Sequence, residues 1–191
     1  FLANVMGLAQ TNAKRMLAYS SVSHAGYIAM IFFGLTSLSA TTLAFYLFAY
    51  SLSTVGVFMT LIWVEKIKKE TSYNAFRGLA KTEPLLAVVA TVSLLSMAGV
   101  PLTAGFIGKF GLFAQAIQTA PFIVLVAVLG SAISIAYYLR LIIAMFFIGE
   151  TTFHTSEKST ITYKIVAVFI IFAIIAIGIY PDLFGMQFGL Y

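Results

Sequence analysis

Cysteine is absent from the chain of 191 residues, which removes disulfide staples and thiolate metal sites from consideration. Histidine is scarce: His24 and His154 stand far apart in sequence and offer no metal-ligand spacing. Charge is scarce as well, at 9% of residues, and no Asp or Glu falls within a long apolar run. That composition excludes an ordinary soluble domain, and it leaves no basic stripe for nucleic acid, so no nucleic-acid partner is expected. No glycine-rich nucleotide loop, flavin motif or catalytic nucleophile is legible. No cofactor is therefore expected on this chain.

What the chain has instead is apolar length. Hydrophobic residues make up 61% of it, the mean hydropathy is +1.03, and runs long enough to cross a bilayer recur. The fold class is all-α, a polytopic membrane helix bundle forming a single transmembrane domain over residues 1–191. Phe1 to Ala9 is too short to span and has no basic flank or cleavage site of a signal peptide. It reads as the tail of a helix in a chain that is a fragment of something longer. Further spans are expected at about 16–35, 43–64, 84–118, 122–148 and 161–180, the last stopped by Pro181.

The span from Pro84 to Gln118 is too long. As one straight helix it would measure roughly 50 Å, against a hydrocarbon core of about 30 Å. Pro101 lacks an N–H and crowds the carbonyl four residues back, while Gly99 and Gly105 relax the backbone on either side. The sequence predicts two half-helices with an unwound link near 100–103. Non-helical backbone at that depth is tolerated where it is buried in protein or lines a wet cavity, and broken helices are where transporters hold ions.

Lys109 follows the break, and its place is anomalous. On alternate ends of the predicted spans, Lys14, Arg15, Lys66, Lys68, Lys69, Arg77, Lys81, Arg140, Lys158 and Lys164 gather on one side. The other side has neither lysine nor arginine. By the positive-inside rule the basic side is cytoplasmic and the C-terminus is outside. Of eleven Lys and Arg residues, Lys109 alone departs from the rule. Phe110 to Phe113 continue the apolar run beyond it, which weighs against a lysine that merely snorkels to the interface. Buried in the bundle, it is a group suited to loading and releasing a proton. It needs a counter-charge or a polar pocket, and with no acid at that depth the partner is expected on helices outside this chain or on a neighbouring subunit.

Smaller signals keep two readings each. Ser20, His24 and Tyr27 share a helix face; His24 either relays protons or is hydrogen-bonded across helices. Tyr46, Tyr50 and Thr54 recur every four residues, as a water-ordering stripe or as interhelical glue. Ser131, Ser134 and Tyr138 share a face, and Arg140 either pairs with a carboxylate of a missing helix or snorkels. Glu150, Glu157 and Asp182 read as loop acids.

Two long stretches, Ala9 to Tyr27 and Met97 to Phe110, resemble the antiporter-like membrane subunits of respiratory complex I. Gly130 to Ser134 and Tyr137 to Arg140 extend the likeness over essentially the whole chain. The resemblance implies the second repeat of a subunit with fourteen helices, from the end of the ninth helix through the broken twelfth to the last. Lys109 would be the lysine of the second broken helix, on a proton path toward the outside with His24, Tyr46, Tyr50 and Thr54 as possible relays. It implies a bacterial inner membrane, lipid and neighbouring membrane subunits as partners, and NAD, FMN, iron–sulfur clusters and quinone in the assembly alone. Tyr46, Tyr50 and Thr54 stand where L-type members carry histidines and a lysine, and His24 where they carry glutamine, which favours the N-type. A subunit of a multisubunit sodium/proton antiporter, a membrane-bound hydrogenase subunit and a structural spacer are the other readings.

Overall fold

The computed structural model describes residues 1–146 and 158–184. His154, Glu150 and Glu157 lie outside the described residues. Among the described residues eight α-helices follow one another: α1 (Leu2–Leu8), α2 (Ala13–Ala29), α3 (Ser39–Lys68), α4 (Leu79–Thr82), α5 (Pro84–Ala98), α6 (Ala104–Ala116), α7 (Pro121–Phe146) and α8 (Ile161–Ile179), with short 3-10 turns after α2, before α4 and after α8. α2 with its 3-10 extension to Phe33, α3, α7 and α8 are each long and apolar enough to cross a membrane. A further crossing is divided between α5 and α6.

The helix ends follow from local chemistry. α2 begins at Ala13, ahead of the expected 16, because the Asn12 side chain accepts the Arg15 N–H at 3.1 Å and holds the N-terminus. Its last turn tightens to a 3-10 turn at Met30–Phe33. The turn expected to run to residue 42 is shorter, since α3 starts at Ser39. The Ser39 hydroxyl accepts the Thr36 N–H at 2.8 Å, and Thr36 Oγ1 accepts the Leu38 N–H at 3.2 Å. At the other end of α3, Lys69 takes a left-handed conformation, φ 58°, and stops the helix.

α3 lies along both α5 and α6, α8 covers the same pair, and α7 packs on α1, α2 and α5. Toward the basic end Leu61, Val64, Leu79, Leu86, Leu94, Leu141 and Met145 share one buried cluster. Toward the uncharged end Met30, Ile31, Leu112, Ala116 and Val124 close around Tyr27 and Tyr46. α8 turns Ile165, Phe169 and Phe172 outward. In a bilayer that face is solvated by acyl chains, so the exposure costs little. Glu83, only 3% exposed, accepts the Ser159 N–H at 2.9 Å and the Ser159 hydroxyl at 2.7 Å, tying the start of α5 to the approach to α8.

Candidate functional site at the broken helix

The break runs from Gly99 to Thr103. Gly99 ends α5 with φ +83°, a conformation that glycine adopts without penalty. Its N–H and that of Val100 turn back to Leu95 and Ser96 carbonyls at 3.0–3.1 Å. Leu102 also has positive φ, 71°, with no such licence. The Thr103 side chain accepts the Phe106 N–H at 3.4 Å and starts α6. Gly105 then passes so close to α5 that a Cβ would land on the Ser96 carbonyl. Ser96 Oγ accepts the Gly105 N–H at 3.1 Å and a hydrogen bond from Ser53 of α3 at 2.9 Å, binding both halves to a third helix.

This geometry makes two acceptors. In an unbroken helix the Met97 carbonyl would accept from residue 101, but that residue is a proline, and the left-handed turn removes the donor for Ala98. Both carbonyls point out of the negative end of a helix dipole. Lys109 fills them: its Nζ donates to Met97 O at 2.7 Å and to Ala98 O at 3.2 Å. A further hydrogen bond reaches Ser131 Oγ of α7 at 2.9 Å, and Nζ lies 4.9 Å from the centre of the Tyr27 ring. Lys109 is 4% exposed, and its hydrogen-bond partners are carbonyls and a hydroxyl. Within this chain, the helix broken in the same span supplies a negative end to the lysine, and no carboxylate among the described residues does.

His24 sits beside this centre, 3% exposed. Its Nδ1 lies 2.7 Å from the Tyr46 hydroxyl and its Nε2 3.4 Å from that of Tyr138, which in turn meets the Ser20 hydroxyl. Tyr50 stacks on the imidazole at 4.4 Å between ring centres. Thr54 lies one turn along α3 from Tyr50, and its buried hydroxyl has no hydrogen-bond partner at bonding distance among the described residues. Lys109 and His24 are not hydrogen-bonded to each other; the Tyr27 ring touches both. Sequence reasoning passed over Asn4, which is fully buried and joins the Tyr27 hydroxyl, at 3.1 Å, to that of Tyr137, at 2.8 Å. A lone amide inside the apolar run of α1 was the available signal. Arg140, exposed at its end of α7, meets no carboxylate among the described residues and donates to the Leu8 carbonyl, at the end of α1, at 2.6 Å.

The polar contacts are lopsided. Tyr137 and Tyr138 follow Ser131 along α7 toward the basic end, the first bonded to Asn4 and the second to Ser20. Toward the uncharged end Leu112, Ala116, Met30 and Ile31 form an apolar layer. Beyond it Gln115 donates to Thr42 Oγ1 at 2.6 Å and accepts from Ser39 Oγ at 2.8 Å.

The family described as "NADH:quinone oxidoreductase/Mrp antiporter, TM" matches residues 1–134. NADH-quinone oxidoreductase subunit N of Flavobacterium psychrophilum is 42% identical over 182 residues, covering 95% of this chain and 39% of that protein. A chain in the structure of respiratory complex I from Thermus thermophilus with bound aureothin superposes with a TM-score of 0.82 at 34% identity, over 95% of this chain and 41% of that one. A chain of the membrane-bound sulfane sulfur reductase, an archaeal respiratory membrane complex, gives 0.86 at 30% identity, over 95% and 37%. The chain thus spans about two fifths of the length of these relatives.

Proposed function

Because this chain belongs to the NADH:quinone oxidoreductase/Mrp antiporter transmembrane family, we propose that it is the second helical repeat of a longer subunit N and moves protons through Lys109. The observation that carries the proposal is a buried lysine holding the carbonyl ends of a helix broken at its own depth. Such a cation has no structural economy to recommend it, since an apolar residue would fill the same space without desolvation cost. It makes sense as a group whose charge changes. His24, Tyr138 and Ser20 extend hydrogen-bonding groups from the lysine's neighbourhood toward the basic end, where a proton would arrive. Release toward the opposite end requires the layer around Leu112 to open.

In this reading the protein lies in the bacterial inner membrane with its basic side in the cytoplasm and its C-terminus outside. Its partners are neighbouring membrane subunits and lipid. NAD, FMN, iron–sulfur clusters and quinone belong to other subunits, and this chain contributes proton transfer coupled to their chemistry. The enzyme is the assembly. The family also embraces Mrp antiporters, so dependence of transport on sodium would move the reading to a sodium/proton exchanger.

The test is proton pumping measured against quinone reductase activity in membranes whose complex carries Lys109→Met in the full-length subunit. Pumping is expected to fall to background while the complex still assembles. Unchanged pumping in an assembled complex would reduce Lys109 to a structural charge.

A further inference from the structure

We propose that the crevice between α7 and the Tyr73–Phe76 turn binds an anionic phospholipid by its phosphate. The crevice holds about 260 Å³ and is lined by Tyr73, Asn74, Arg77, Arg140, Ile143 and Ala144. Two guanidinium groups therefore border one small space. Arg140 commits a donor to the Leu8 carbonyl at 2.6 Å, which fixes its head, and keeps most of its N–H groups for another acceptor. The backbone N–H of Arg77 donates to the Asn74 carbonyl at 3.2 Å, while its guanidinium makes no hydrogen bond or ion pair among the described residues.

An independent observation comes from Tyr73. Its hydroxyl is buried and has no hydrogen-bond partner, although its ring lies 5.3 Å from the Arg140 guanidinium carbon. A buried phenol without a partner is a standing cost unless something accepts from it. Burial pushes its pKa up, against the opposing pull of Arg140, so it remains a donor. The turn that presents it is pinned: the Tyr73 N–H donates to the Thr11 carbonyl at 3.2 Å, and the Ala13 N–H to the Thr71 carbonyl at 2.8 Å. Phosphate oxygens match this set of donors, since guanidinium forks grip them bidentately.

Place selects lipid over free phosphate. The crevice opens at the basic end of the bundle, where basic pockets meet anionic headgroups. From it Ile143, Leu139 and Ile135 run down α7 at four-residue intervals, exposed by 43%, 40% and 37%, an apolar track for an acyl chain.

The test uses the full-length protein purified from its own membranes, reconstituted in vesicles of phosphatidylcholine with or without phosphatidylglycerol, then exchanged into detergent and assayed for retained lipid by mass spectrometry. The unaltered protein is expected to retain phosphatidylglycerol in preference to phosphatidylcholine. Arg77→Gln with Arg140→Gln is expected to lower that retention about tenfold or more. Tyr73→Phe, which breaks no hydrogen bond within the protein, is expected to lower it by a smaller factor, and it carries the test if the double variant fails to assemble. Equal retention in Tyr73→Phe and the double variant compared with the unaltered protein overturns the proposal. So does displacement of the lipid by inorganic phosphate alone, which indicates a small-anion site, or a carboxylate of a neighbouring subunit found against Arg77.

Discussion

Ser131 contributes one hydroxyl to Lys109, at 2.9 Å, where a hydrogen bond to a charged group is worth about 1.5–3 kcal/mol. Ser131→Ala is therefore expected to slow proton translocation about tenfold or more while leaving assembly intact, as read by pumping rates in membranes. Tyr27→Phe is the companion: the ring over the lysine stays and the hydroxyl, with its bond from Asn4, goes, while Ser131 keeps its bond to the lysine, so pumping should change less than with Ser131→Ala. The reverse order would show that the hydroxyl of Tyr27 matters more than that of Ser131. At this scale the sequence was legible where a residue broke a pattern. Lys109 violates the charge rule and Pro101 violates the helix. Ser131 was placed on a shared face with Ser134 and Tyr138, but which helix that face meets depends on packing angles that no spacing encodes. The carbonyl partners were illegible for a different reason, since backbone acceptors have no letter in the sequence.

The broken span depends on close backbone contact between α5 and α6 more than on side-chain packing. Gly105→Ala would force a methyl against the Ser96 carbonyl, and overpacking of that kind costs about 1–3 kcal/mol, with more where backbone must move. Gly26→Ala is the control, because a Cβ there meets nothing within 4 Å. Thermal denaturation of the assembled protein should show a lowered midpoint for Gly105→Ala and no loss for Gly26→Ala. Equal midpoints would mean that the two halves are not held at this distance. The excess length of the apolar run, together with Gly99 and Pro101, made the interruption legible as a whole. The start of α3 was not, because Thr36 and Ser39 satisfy free N–H groups by a local exchange that composition cannot distinguish from a turn.

For the molecule as a whole, the one-sided distribution of Lys and Arg predicts orientation, and the absence of cysteine makes orientation measurable without background. Glu70→Cys, in the loop after α3, is expected to react with a membrane-impermeant maleimide from the cytoplasmic side. Ser37→Cys, in the loop before it, is expected to react from the outside. Labelling of both from one side would overturn the topology. Fold class was legible because bilayer thickness imposes long apolar helices on any chain that spans it. The lopsided polar network was not, since it arises from how α1, α2 and α7 face one another around the lysine.

That lysine touches four elements: its own helix α6, the end of α5, Ser131 of α7 and Tyr27 of α2. A protonated amine gives three hydrogens, and the two carbonyls and the hydroxyl oxygen accept them. A neutral amine gives two and takes one, and of those three partners only Ser131 is able to turn round and donate. The bundle therefore accommodates either form of the amine through rotation about a single C–O bond. On the proposed path, gain or loss of a proton at Nζ itself calls for no more than that one torsion.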